Sequence, residues 1–337
     1  MKIAFFSAHE FDITFFDRAN LDFHHELFYH KERLHPKTAV MAEGCDAVCA
    51  FVNDSLDAPT LTALAAGGTR LILLRCAGFD RVDLAQAEQL ELTVLRVPAY
   101  APEAIAEHAV ALMMSLNRNI HRAHDRVREG NFDLTGLVGF NMHGKTVGVV
   151  GTGKIGLALT RIMAGFGCNL LGYDVFHNPA CEALGLKYVD LPELLRDSDI
   201  VSLHCPLIPE TKHLINAEKL ALIKPGAMLI NTSRGGVVDA QAVVDALKSR
   251  KLAYYGMDVY EKEGALFGED LSSTIITDDL FERLNTFPNV IITGHQSWLT
   301  DTALNEISHV TLSNAADFVA GKPKAENIVQ QPRAVAV

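Results

Sequence analysis

Apolar residues fall in short runs separated by polar or helically spaced stretches, and this pattern sets the first expectation for the fold. Over residues 1–99, strands are predicted at Lys2–Ser7, Glu26–Tyr29, Ala47–Phe51, Arg70–Arg75 and Thr93–Val97. Helical spacing lies between them, as in Thr60–Ala66 and Asp83–Gln89. Short apolar strands alternating with helices describe a parallel sheet covered on both faces. Pro98 and Pro102 then punctuate the chain, and one long helical pattern runs from Pro102 to about Arg128. Pro102 suits a first helical turn, and Glu103 and Glu107 sit near the positive end of that helix. A second strand–helix series follows, with strands at Thr146–Val150, Asn169–Tyr173, Ile200–Leu203, Met228–Asn231, Tyr254–Met257 and Val290–Ile292. An amphipathic helix over roughly Asp301–Ala320 and a polar tail close the sequence.

A chain of 337 residues is too long for one ordinary core and long enough for two. The expected fold class is therefore α/β, with two doubly wound parallel sheets. No internal repeat or low-complexity linker separates the lobes, which predicts a cleft closed by hinge motion, with hinges near 99–101 and 296–300. The net charge of −11 argues against a nucleic-acid partner, whose phosphates reward a basic face. No apolar run approaches a membrane span, and the apolar start is too short for a signal segment. The six cysteines are scattered, and Cys45 and Cys49 find no second pair or nearby histidine to complete a zinc pattern. Buried reduced thiols, no metal and a cytoplasmic setting are the expectations.

The strongest chemical signal is Gly151-Thr152-Gly153-Lys154-Ile155-Gly156, set between a buried strand and a helix. Gly151 permits the tight turn, Gly153 lets backbone approach a pyrophosphate, and Gly156 lets the helix pack on the strand. The helix start offers free N–H groups to phosphate. Asp174 closes the next strand, where a carboxylate accepts the ribose hydroxyls and repels a 2′-phosphate. A glycine motif alone is weak evidence; this full context predicts NAD rather than NADP.

Reduction of a keto acid needs a cation for the substrate carboxylate and a proton donor for the carbonyl oxygen. Arg234, in Asn231-Thr232-Ser233-Arg234-Gly235, follows a strand's C-terminal end and offers a planar fork matched to a carboxylate. His295, in Thr293-Gly294-His295-Gln296, likewise follows a buried strand and is the candidate acid/base. Among the other histidines, His24, His25 and His30 belong to an early strand region, and His121 and His124 to an exposed helix face. His204 is the main competitor, with Cys205-Pro206 beside it reading as cofactor contact. Glu263 or Glu261 could pair with His295 and favour its imidazolium. The residues themselves do not choose between the two acids.

Along essentially its whole length the sequence resembles the D-isomer-specific 2-hydroxyacid dehydrogenases, and within them the fermentative branch that interconverts pyruvate and D-lactate. The segments that carry the resemblance are Arg75–Asp80, Val97–Tyr100, Gly151–Gly156, Leu203–Pro206, Asn231–Gly235, Met257–Glu261 and Gly294–Gln296. It implies that the family's Arg–Glu–His trio is Arg234, Glu263 and His295. It implies a Rossmann NAD-binding domain, 100–298, inserted into a flavodoxin-like substrate-binding domain, 1–99 plus 299–337. It further implies that Ala77 and Gly78 hold the substrate carboxylate through backbone N–H groups. Asp258 would lie on the nicotinamide side, and Lys154, Ile155, Cys205, Pro206, Thr232 and Ser233 would line the same cofactor. Tyr100 and Trp298 resemble residues that narrow a small substrate pocket. Many relatives have proline after the catalytic glutamate where Gly264 stands here, and the D-lactate branch departs in the same way.

The function expected is reversible reduction of pyruvate to D-lactate with NADH, in a homodimer or homotetramer whose interface is the Pro102–Arg128 segment. Rival readings are a D-2-hydroxyacid dehydrogenase of broader range and, in another class, a non-catalytic NAD-sensing binding protein of the same fold. A phosphoglycerate dehydrogenase with an appended domain fits poorly, because little chain follows the last helix. A formate dehydrogenase would want a glutamine upstream of the histidine, whereas Gln296 follows it.

Overall fold

The computed structural model describes residues 1–329, so the end of the expected tail, 330–337, lies outside the described residues. The chain forms two compact units, one of Met1–Ala101 with the chain from Leu299 on, the other Pro102–Trp298. The sequence places these boundaries at 99/100 and 298/299.

The first unit holds β1 (Lys2–Phe5), β2 (Glu26–Tyr29), β3 (Ala47–Ala50), β4 (Leu71–Leu74) and β5 (Thr93–Arg96). All pairings are parallel, in the order β2-β1-β3-β4-β5, the flavodoxin-like arrangement. Every residue of β3 and β4 is buried, as helices on both faces require. The helix Asp301–Val319 returns to this unit and packs on the helix Glu10–Asn20 and on β4 and β5. Four strands, β1, β3, β4 and β5, stop short of their predicted ends, and a buried polar cluster follows two of them, β1 and β4. Ser7 turns left-handed (φ 51°) and donates its Oγ to buried Asp54 at 2.6 Å. Arg75 is 2% exposed, donates to the Phe6 and Ser7 carbonyls at 3.0 and 2.8 Å, and lies 3.4 Å from the Asp12 carboxylate. A buried guanidinium needs all of these partners.

The second unit holds β6 (Thr146–Val150), β7 (Asn169–Tyr173), β8 (Lys187–Tyr188), β9 (Ile200–Leu203), β10 (Ala227–Asn231), β11 (Leu252–Met257) and β12 (Val290–Ile292). Their order is β12-β11-β10-β9-β6-β7-β8, all parallel, which is the Rossmann order with one added edge strand. Successive residues feed opposite faces: Ala227 and Leu229 enter one core, Met228 and Ile230 the other. The two-residue strand β8 escapes the sequence reading, being too short to show alternation. The long helix expected over Pro102–Arg128 is two helices, Pro102–Asn117 and Ile120–Arg128. Asn119 between them is left-handed (φ 50°), a conformation asparagine tolerates. Asn117 spends both ends of its amide on the Phe140 backbone, at 2.8 and 2.7 Å, which fixes the break. His121 is half-buried, its Nε2 3.4 Å from the Pro288 carbonyl, rather than on an open face.

Among the described residues no helix is long and apolar enough to cross a membrane, and no group of metal-ligating side chains assembles.

Candidate active site

Strand register lines up the chemistry. Tyr173, Val150, Leu203, Asn231, Met257 and Ile292 pair one to the next across the sheet, from β7 through β6, β9, β10 and β11 to β12. Immediately past that row come Asp174, Gly151, His204, Thr232, Asp258 and Thr293. Strand order reverses between β6 and β9, so the row lies at the switch point where ligands bind in open α/β sheets.

The glycine turn shows why Gly151 and Gly156 are needed. Gly151 has φ 91°, and a Cβ there would stand 2.6 Å from the His204 carbonyl carbon and the Cys205 nitrogen. A Cβ on Gly156 would meet the Gly151 carbonyl oxygen at 2.0 Å. Nothing lies within 4 Å of a Cβ on Gly153, the N-cap of helix Lys154–Gly165, so this helix start faces open space. The Asp174 carboxylate accepts from Thr152 N at 2.6 Å, from Thr152 Oγ1 at 3.2 Å and from Phe176 N at 3.2 Å. It braces the turn from the next strand, and Tyr188 of β8 completes the brace by donating to Thr152 Oγ1 at 2.7 Å.

These residues fit a dinucleotide. An open helix N-terminus with unpaired N–H groups suits a pyrophosphate, and Thr232 Oγ1 is buried without a hydrogen-bond partner. Burial pushes the Cys205 thiol up to about 11, so it lines this edge as a small neutral group and not as a nucleophile. His204 is tied to Ser202 Oγ at 2.9 Å, and burial of its ring pulls it down to about 4. A neutral imidazole is a poor proton donor.

His295 Nδ1 lies 2.7 Å from Glu263 Oε1, with both side chains nearly enclosed at 13% and 12% exposure. Glu263 Oε2 accepts from Tyr260 N at 3.0 Å, which fixes the carboxylate's orientation. Glu261 is committed elsewhere, 3.1 Å from His213 Nε2. The choice between the two acids, open in sequence, is therefore made by partners. His295 itself is left-handed (φ 56°), an uncommon conformation for a residue with a Cβ. Its N–H donates to the Asp258 carbonyl at 2.7 Å, and its carbonyl accepts from Trp298 Nε1 at 2.9 Å.

Asp258 has a partner set within its own unit. It is fully buried, and its carboxylate accepts from Thr293 Oγ1 at 2.5 Å, Gln296 N at 2.9 Å and Ser297 N at 2.8 Å. It thus ties the end of β11 to the turn that carries His295.

Arg234 stands three residues past β10 and is half-buried, with Nη1 donating to the Ser233 carbonyl at 2.8 Å. Asn231, which the sequence reading did not single out, clamps this turn from both sides. Its Nδ2 donates to the Arg234 carbonyl at 3.0 Å, and its Oδ1 accepts from Ser233 N and Oγ at 3.1 and 3.0 Å. An asparagine at a strand end before Thr-Ser was the available signal, since Asx side chains bond backbone two residues on. Gly235 packs the turn on the next strand's continuation: a Cβ there would lie 2.0 Å from the Tyr260 carbonyl carbon.

Ala77 and Gly78 belong to the first unit, just past β4, where Arg96 Nη1 donates to the Ala77 carbonyl at 2.9 Å. Tyr100, half-buried, belongs to the same unit. Lys154 and Pro206 are exposed, and Ile155 and Ser233 half-buried, around the glycine turn and its neighbouring strand ends.

The Rossmann order, the glycine turn and a histidine–glutamate pair at adjacent strand ends define a dinucleotide-dependent oxidoreductase, and comparison with known proteins agrees. The family model "D-isomer specific 2-hydroxyacid dehydrogenase, NAD binding domain" matches residues 110–297. The chain is 52% identical to a 2-hydroxyacid dehydrogenase homolog of Haemophilus influenzae, over 98% of this chain and 99% of that one. It is 50% identical to the D-lactate dehydrogenase of Escherichia coli, over 98% and 100%. The apo structure of the E. coli D-lactate dehydrogenase superposes with a TM-score of 0.90 at 48% identity, again over 98% and 100%. The chain belongs to the D-isomer-specific 2-hydroxyacid dehydrogenases, and its second unit is that family's NAD-binding domain.

Proposed function

We propose that the protein is a D-lactate dehydrogenase catalysing pyruvate + NADH + H⁺ ⇌ D-lactate + NAD⁺. The observation that carries this reading is the enclosed Glu263–His295 pair, placed two strands or fewer from Arg234 on aligned strand ends. Identity of about half the residues with a D-lactate dehydrogenase over nearly the full chain supports the substrate. Bound NADH supplies the hydride that reduces the keto carbon.

His295 donates a proton to the oxygen as it becomes an alkoxide. Because Nδ1 faces Glu263, Nε2 is the atom that serves the substrate. Glu263 holds the ring in that orientation and offsets the imidazolium charge. Arg234 holds the carboxylate with its planar fork. Ala77, Gly78, Tyr100 and Trp298 are the further proposed substrate contacts. Gly151, Gly153, Lys154, Ile155, Gly156, Asp174, Cys205, Pro206, Thr232, Ser233, Arg234 and Asp258 are those proposed for the cofactor. A carboxylate at Asp174 disfavours a 2′-phosphate, consistent with NAD.

Assay of both lactate enantiomers with NAD⁺ tests the assignment. D-lactate is expected to be oxidised and L-lactate left untouched; oxidation of L-lactate, or of neither, would overturn it. Longer 2-keto acids are expected as slower substrates, because a methylene in an apolar pocket discriminates by only ~1–3 kcal/mol.

We also infer self-association into a homodimer or homotetramer. Ile120, Val127, Phe132, Leu134 and Val138 expose large apolar side chains within one stretch of sequence, a cluster that a second copy would cover. Sedimentation of the wild type and of Phe132→Asp checks this. A multimer that the substitution weakens is expected, and a monomeric wild type would sink the inference.

A further inference from the structure

His108 takes no part in the chemistry above, yet it points at the foundation of the His295 turn. It lies on helix Pro102–Asn117, which packs against β11 and β12. Its Nε2 is 3.0 Å from Thr293 Oγ1 and 3.6 Å from Asp258 Oδ1, with the side chain 19% exposed.

Proton counting orders the chain of bonds. The Thr293 hydroxyl has one proton and donates it to Asp258 Oδ1 at 2.5 Å. Thr293 Oγ1 must then accept from His108, so Nε2 of His108 carries the hydrogen. Asp258 accepts this hydroxyl together with the N–H groups of Gln296 and Ser297. Those two residues follow His295, whose left-handed backbone needs outside support.

We propose that His108 is a positioning residue for the catalytic histidine. It fixes the Thr293 hydroxyl, which secures the Asp258 carboxylate, which holds the turn that aims the His295 ring. The proposal rests on the reading of His295 as the acid/base. Removing the last donor frees the Thr293 rotor and weakens one of the bonds that Asp258 makes to the turn. The cost should appear in the chemical step, because small misalignments of a reacting group are expensive there.

The test is steady-state kinetics of His108→Phe, Thr293→Val and the double variant, with His108→Gln as the conservative replacement. Each single variant is expected to lower kcat about 10- to 100-fold, with KM for NADH and for pyruvate changed less than about twofold. Members of one chain do not act independently, so the double variant should be no worse than the poorer single one. His108→Gln, whose amide can still donate, should recover most of kcat. Wild-type kcat in His108→Phe, multiplying effects in the double variant, or a glutamine no better than phenylalanine would each overturn the proposal. If His108→Phe does not fold, Thr293→Val and His108→Gln decide on the same criteria. His295→Ala is the control: if it still turns over, the reading of His295 fails and this proposal with it. If that control is inactive while His108→Phe is fully active, only the His108 chain fails.

Discussion

Replacing His295 with alanine should lower kcat by about 10²- to 10⁴-fold, the usual contribution of a positioned acid/base, while NADH binding stays close to that of the wild type. The geometry explains both halves of this expectation. In the proposed mechanism proton delivery is concentrated in one atom, because Nδ1 is held 2.7 Å from Glu263 and Nε2 remains for the substrate oxygen. The nearest alternative histidine of the same strand-end row, His204, is pulled down to about 4 by burial and bonded to Ser202, so it cannot substitute at neutral pH. The glycine turn and Asp174 are built from β6 and β7, at the other side of the row, and do not depend on the imidazole. Pre-steady-state reduction of pyruvate gives the rate, and quenching of protein fluorescence by NADH gives the binding. Turnover within a few-fold of wild type in a folded variant would rule His295 out as the acid.

The cofactor half of the site is legible in the sequence because its determinants are local. Gly151, Gly153 and Gly156 sit within six positions, and the steric reason for Gly151 and Gly156 is a contact with backbone that the same turn creates or abuts. The catalytic half is legible only as candidates. Glu261 and Glu263 are two residues apart with the same chemistry, and what separates them is that His213 takes one and His295 the other. Sequence has no access to that pairing, since His213 and His295 arrive from opposite directions along the chain. Asp258 shows the same limit. The resemblance places it toward the cofactor, and its carboxylate also accepts from Thr293, Gln296 and Ser297, past the end of the adjacent strand, a role that sequence spacing does not reveal.

Fold-level misses have equally local causes. The apolar spacing of Pro102–Arg128 continues through Arg118 and Asn119, so periodicity alone gives one helix. The break depends on Asn117 reaching Phe140, which lies beyond the second helix. β1 and β4 look longer in sequence than they are because Phe6 and Arg75 prolong each run. Only the burial of Arg75 beside Asp12 reveals that its side chain serves a polar cluster, while the N–H groups of Phe6 and Arg75 still reach the neighbouring strand.

Arg234 offers the second large effect. Arg234→Lys should lower kcat/KM for pyruvate by about 10²-fold or more, even though the charge is kept. A guanidinium–carboxylate pair is bidentate and gains geometric specificity as well as energy, and lysine presents a point charge where a two-pronged donor is wanted. The turn is built to hold a guanidinium in one place. Asn231 binds it from both sides, Gly235 presses it onto the Tyr260–Glu261 backbone, and Nη1 is fixed on the Ser233 carbonyl. Arg234→Ala should be worse still, with the loss falling on both KM for pyruvate and kcat if the guanidinium also polarises the keto oxygen. Affinity for NADH should change little in either variant, because Asn231 still shapes the turn through backbone bonds. The decisive comparison is kcat/KM for pyruvate in the lysine variant with NADH binding measured alongside. A lysine variant as efficient as the wild type would show that the substrate carboxylate is held elsewhere.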